Sequence, residues 1–166
     1  MAQMAQSRFN FKRAFWIFLL AYLVVTVVAT AFSMGVESAM HVTGPVAPME
    51  NPAYRVAQRF LPLLNLVVWM GFAGMYFKKR LGDELAMRRE AFVLGLFWTV
   101  AAMVVDYVGF VLIKNPISLS PHDFYIGQFP WIYLIYVAVL VSPLCYLTLA
   151  RTLGWKSASY EAGGSV

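Results

Sequence analysis

Between residues 14 and 36 the chain carries no charged side chain, and that single run limits what the whole can fold into. A helix that crosses a bilayer needs roughly 20 predominantly apolar residues. No water inside the hydrocarbon satisfies an open backbone group, so the run must be helical there. Three further stretches have the same character: 60–77 and 128–150 without a charge, and 91–113 with Asp106 as its one charge. The expected fold class is all-α, a polytopic membrane protein built as a four-transmembrane-helix bundle, with residues 1–166 as one domain. Composition agrees: 61% of the 166 residues are hydrophobic and 13% charged, against roughly 45–50% and 25% in soluble domains. So large an apolar excess does not fit into one soluble core of this length, which excludes an ordinary soluble protein, a disordered chain and a nucleic-acid module.

Lysine and arginine set the expected orientation. Arg8, Lys12 and Arg13 precede the first span. Lys78, Lys79, Arg80, Arg88 and Arg89 lie between the second and third, and Arg151 and Lys156 follow the fourth. Only Arg55, Arg59 and Lys114 fall on the other side. Both termini are therefore expected on the cytoplasmic face of a bacterial inner membrane, with His41 and His122 outside. The formal charge of +5 reads as this asymmetry and not as a nucleic-acid footprint. Ala29-Thr30-Ala31 resembles a signal-peptide cleavage site, but the apolar run is long enough to span, so the first span is expected to be kept.

The single cysteine, Cys145, excludes an internal disulfide and a thiolate zinc cage. Both histidines sit in polar connections, which argues against a haem held between helices. Glu37, His41, Glu50, His122 and Asp123 share the outer side without metal-ligand spacing. No nucleophile motif is present. Hence no catalytic residue, metal or cofactor is assigned.

The two halves look alike. Lys12-Arg13-Ala14-Phe15 opens the first span and Arg89-Glu90-Ala91-Phe92 the third. Asn51-Pro52 and Ser120-Pro121 precede the second and fourth, each an N-cap followed by proline at the first helical position. Ser120 with Asp123 fits a capping box. Pro62 and Pro130 follow, each behind a glutamine, Gln58 and Gln128. Spans two and four are expected to begin as short helices and to bend at the second proline, giving two similar hairpins related about the membrane normal.

Asp106 is the most informative residue. A carboxylate within a span costs about 2.5–3.5 kcal/mol on insertion scales, so it rarely faces lipid. At equal depth the other helices offer Thr30, Asn65 and Tyr136. Asp106, Asn65 and Tyr136 are expected to share a buried network, with Thr30 beside it and Arg59 as an alternative partner. Such a network serves either as a proton or ligand site or as a lock on helix packing.

From Gly95 to Tyr146 the chain has Gly95-Leu96-Phe97-Trp98, then Asp106, then Ser120 and Asp123-Phe124-Tyr125-Ile126-Gly127. This stretch resembles small four-span prokaryotic membrane proteins of unknown function, a resemblance that implies topology and no activity. The leading functional expectation is a non-enzymatic accessory or structural subunit of a membrane complex, or a homo-oligomer, with the lipid bilayer and other membrane subunits as partners and no nucleic acid. The alternatives are a small carrier or channel for protons, lipid or a hydrophobic molecule centred on Asp106, and then a membrane-embedded enzyme.

Overall fold

The computed structural model describes residues 9–42, 44, 46, 50–78, 84–113 and 119–153. Within them the chain is all-α. Helix α1 is Phe11–Ala39, α2 is the short Pro52–Ala57, α3 is Leu61–Phe77, α4 is Glu84–Asp106 and α5 is Trp131–Thr152. Helix α4 continues without a break into a π-helical stretch, Tyr107–Leu112, and a second π-helical turn, Asp123–Gly127, precedes α5.

Three helices are long and apolar enough to cross a membrane: α1, α4 with its π extension, and α5. The expected fourth, α3, is not among them. Helix α3 has 17 residues and so measures about 26 Å, short of the roughly 30 Å hydrocarbon thickness. The cause is local: the chain breaks at Gln58–Phe60, between α2 and α3, and Pro62 sits in the first turn of α3. Its fixed φ and missing N–H suit a helix start. The α1 and α4 helices, by contrast, both begin earlier than the apolar runs do.

Helix ends follow sequence chemistry. Asn10 Oδ1 accepts from Arg13 N at 3.0 Å and caps α1. At its other end α1 closes in a Schellman motif: His41 N donates to Ser38 O and Val42 N to Glu37 O, both at 3.2 Å. His41 occupies the left-handed position, with φ +52°, where glycine is the usual residue. Asn51 caps α2 through Ala53 N at 2.9 Å, and Pro52 follows it. Ser120 Oγ accepts from Asp123 N at 3.0 Å and donates to the Asp123 carboxylate at 2.8 Å. With His122 beside it, that bond holds the Asp123 carboxyl below its ordinary range.

The four long helices alternate in direction, so the start of α1, the end of α3, the start of α4 and the end of α5 meet at one end. That basic end is tied together by polar contacts. Arg13 Nη2 donates to Met75 O at 2.7 Å and Lys78 O at 3.3 Å, closing carbonyls that the end of α3 leaves open. Arg151 pairs with Glu84. Tyr76 Oη donates to Glu90 Oε1 at 2.7 Å, and both residues are buried. Above this layer Phe18, Trp69 and Trp98 form the aromatic core, with ring centroids 5.8 Å and 5.2 Å apart.

Helix α5 packs against α3 and α4 because small residues lie at the contacts. Gly95 faces the Leu140 backbone so closely that a Cβ would collide with its carbonyl oxygen, and Gly74 lies under the Tyr146 ring. Pro143 sits inside α5 and supplies no N–H for the Val139 carbonyl. Ser142 Oγ donates to that carbonyl at 2.9 Å instead, so the buried acceptor keeps a partner.

Candidate functional site

Asp106 is the last α-helical residue of α4, at the junction with the π stretch. There Ile113 N donates five residues back, to Val108 O at 3.0 Å. Such wide turns recur at functional sites. The Asp106 carboxylate is held from two sides. Tyr22 Oη on α1 donates to Oδ1, and Tyr136 Oη on α5 donates to Oδ2 at 2.8 Å. Each oxygen thus receives one phenol. An ionised carboxylate has about four acceptor positions, which leaves room for a further donor.

The candidate residues named from the sequence separate into two groups. Asp106 and Tyr136 are bonded. Asn65 is not part of that bond pattern: its Nδ2 donates to Leu61 O at 2.9 Å and its Oδ1 accepts from Trp69 Nε1 at 3.2 Å. An amide one turn above a carbonyl and one turn below an indole is satisfied within its own helix. Thr30 lines the same cavity as Asp106 and Asn65 but makes no bond to the acid. Arg59 lines a separate concavity with Arg55 and Gln58 and does not pair with Asp106. In place of Thr30, α1 supplies Tyr22, eight residues nearer the basic end.

The reason is a register shift. Trp98 Nε1 donates to Ala14 O at 3.1 Å. That pair is 84 residues apart in the chain, as are Asp106 and Tyr22. Helices α1 and α4 therefore run parallel with this offset. Equal-depth reasoning from the two apolar runs assumes an offset near 77, the spacing between Arg13-Ala14-Phe15 and Glu90-Ala91-Phe92. The difference of seven residues is two helical turns, about 10 Å.

The acid opens onto a cavity of about 520 Å³. Tyr22, Trp69, Ala102 and Val139 surround its inner part. Its far part is rimmed by Glu37, Asn51, Tyr54 and Gln128. The rim is ordered by its own bonds, Asn51 Nδ2 to Glu37 Oε1 at 2.6 Å and Tyr54 Oη to Gln128 Oε1 at 3.1 Å. Burial pushes the Tyr54 phenol above its ordinary value. From Tyr22 to Glu37 the lining spans 15 residues of α1, about 22 Å, so the space is long and narrow. Thr26 and Thr30 line it yet are exposed, so it opens sideways along α1.

Tyr22 and the buried Glu90–Tyr76 pair escape sequence reasoning. Tyr22 is one aromatic among many in an apolar run, and Glu90 follows Arg88 and Arg89 and reads as part of a solvated connection. Among the described residues no three histidine, cysteine, aspartate or glutamate side chains gather as a metal site. Comparison with protein families, with curated proteins and with solved structures gave no significant match in any of the three.

Proposed function

We propose that the protein is an integral membrane protein of the bacterial inner membrane, both ends cytoplasmic, that takes an elongated hydrophobic molecule bearing a hydrogen-bond donor into the cavity between α1, α3, α4 and α5. Helix α3 crosses as the fourth span, continued toward the surface by α2. The observation that carries the reading is the 520 Å³ cavity reaching the Asp106 carboxylate. Its size falls within the usual range of small-ligand pockets, roughly 300–1,000 Å³. Its apolar walls accept a greasy body, and the carboxylate, held by two phenols with acceptor capacity to spare, anchors a protonated amine or a hydroxyl. The sideways opening along α1 suits a molecule that arrives from the bilayer.

The test is binding of a fluorescent long-chain alkylamine to the purified full chain in nanodiscs, followed by its release into liposomes. Asp106→Asn and a bulky Thr30→Trp are each expected to weaken binding at least tenfold while the fold persists. Unchanged binding in both variants refutes the reading.

A second reading, a subunit of a larger membrane assembly or a homo-oligomer, draws on the glycines. Gly35, Gly71 and Gly109 face open space, where a neighbouring helix could approach closely. Native mass in mild detergent separates it from the first: a lone chain that binds the amine supports the carrier, and a defined complex supports the subunit.

A further inference from the structure

The far end of the bundle carries a second concavity, separate from the Asp106 cavity, of about 700 Å³. Arg55, Gln58 and Arg59 line one side of it, and Gly127, Phe129 and Trp131 the other. Arg55 lies in the last turn of α2, and Gln58 and Arg59 follow it in the turn that leads to α3. No acidic side chain among the described residues pairs with either arginine. Gln58 between them is 7% exposed, and its buried Oε1 has no hydrogen-bond partner. A buried acceptor left open carries the full cost of its lost hydration, so the arrangement is incomplete as it stands.

We propose that this concavity binds the headgroup of an anionic phospholipid. The proposal rests on the membrane reading above, since it places the concavity at the lipid–water boundary. Two unpaired guanidiniums four residues apart match the oxygens of one phosphate, which arginine binds through paired N–H donors. The Gln58 amide accepts from a hydroxyl on the same headgroup, which a phosphodiester of glycerol supplies and a bare phosphate ester does not. Trp131 and Phe129 sit where amphipathic and aromatic rings favour the interface. Phe129, in the same lining, is 68% exposed, and Phe60, next to Arg59 in the chain, is 53% exposed, so exposed apolar rings are available to acyl chains near the cations. These aromatic flanks favour a lipid over free phosphate as the occupant. The placement also explains why two arginines stand on the side of the chain that the lysine and arginine asymmetry otherwise leaves nearly empty.

The experiment is lipid retention by the delipidated full chain, read by native mass spectrometry after addition of one lipid at a time. Phosphatidylglycerol, phosphatidylmethanol and phosphatidylcholine are compared, with inorganic phosphate as the soluble arm. Phosphatidylglycerol is expected to be retained at least tenfold better than phosphatidylcholine. Arg55→Gln with Arg59→Gln brings it down to the phosphatidylcholine level, and Gln58→Leu removes its advantage over phosphatidylmethanol only. Equal retention of phosphatidylglycerol and phosphatidylcholine by the unaltered protein overturns the proposal, with no variant needed. Binding of inorganic phosphate that competes fully with the lipid overturns the lipid assignment and leaves an anion site. Extraction of the protein from membranes by alkaline carbonate reports on the membrane reading separately: a chain that stays in the membrane without lipid preference sinks this proposal alone.

Discussion

Tyr22 and Asp106, 84 residues apart in the chain, are joined phenol to carboxylate across two parallel helices. Trp98 and Ala14 repeat the separation two turns closer to the basic end. The α1–α4 contact is thus set by two bonds in one register, one from an indole and one from a phenol, and the acid takes its second phenol, Tyr136, from α5.

Removal of either phenol should weaken the bundle through the acid. Tyr22→Phe and Tyr136→Phe are each expected to cost about 1 kcal/mol, the scale of interhelical hydrogen bonds in membranes. In an Asp106→Leu background both should fall close to zero, because the partner is gone. Reversible unfolding in mixed micelles measures the cycle. Equal losses in both backgrounds would mean that the phenols act without the carboxylate.

Two glycines of similar sequence context should respond with opposite signs. Gly95→Ala places a methyl against the Leu140 backbone, and overpacking of this kind costs about 1–3 kcal/mol. Gly71 has nothing within 4 Å of an added Cβ. There Gly→Ala gains up to about 1 kcal/mol of helix propensity. The same unfolding assay ranks the two, and a stabilised Gly95→Ala would contradict the close approach of α4 to α5.

His41 stands in left-handed backbone at the end of α1, a conformation that costs an L-residue roughly 1 kcal/mol or more and glycine little. His41→Gly is expected to hold or raise the melting temperature. A clear drop would assign the imidazole a contact of its own.

Topology is checked with single cysteines in a Cys145→Ser background. Cysteines at His41 and His122 should react with a membrane-impermeant maleimide on intact cells. One at Ser157 should react only after lysis. The reverse pattern would invert the orientation drawn from lysine and arginine.

How much of this was legible in the sequence depends on what kind of information each feature needs. Helix starts were legible, because Asn51-Pro52 and Ser120-Pro121 announce local caps, and both carry the expected bonds. The short helical segments ahead of α3 and α5 follow from paired prolines and glutamines that act over a few residues. The Asp106–Tyr136 bond was reachable from depth, since α5 begins close to where its apolar run does. Tyr22 was not, because α1 and α4 slide past each other by two turns. That offset comes from Trp98 seating on Ala14, a tertiary fit without local signature. Asn65 departs from the expected network for the opposite reason: a polar side chain in a span needs partners, and Leu61 O and Trp69 Nε1 in its own helix supply them.

The wide-pitched stretch Tyr107–Leu112 has one more consequence. A turn wound five residues back holds one residue more than an α-helical turn, so the strand of chain beyond the acid carries slack. Deleting a single residue there, Val108 for instance, closes the turn to ordinary winding and consumes the slack locally. Everything before it, Asp106 included, stays in place, whereas the same deletion at Met103 would rotate the carboxylate about 100° away from both phenols.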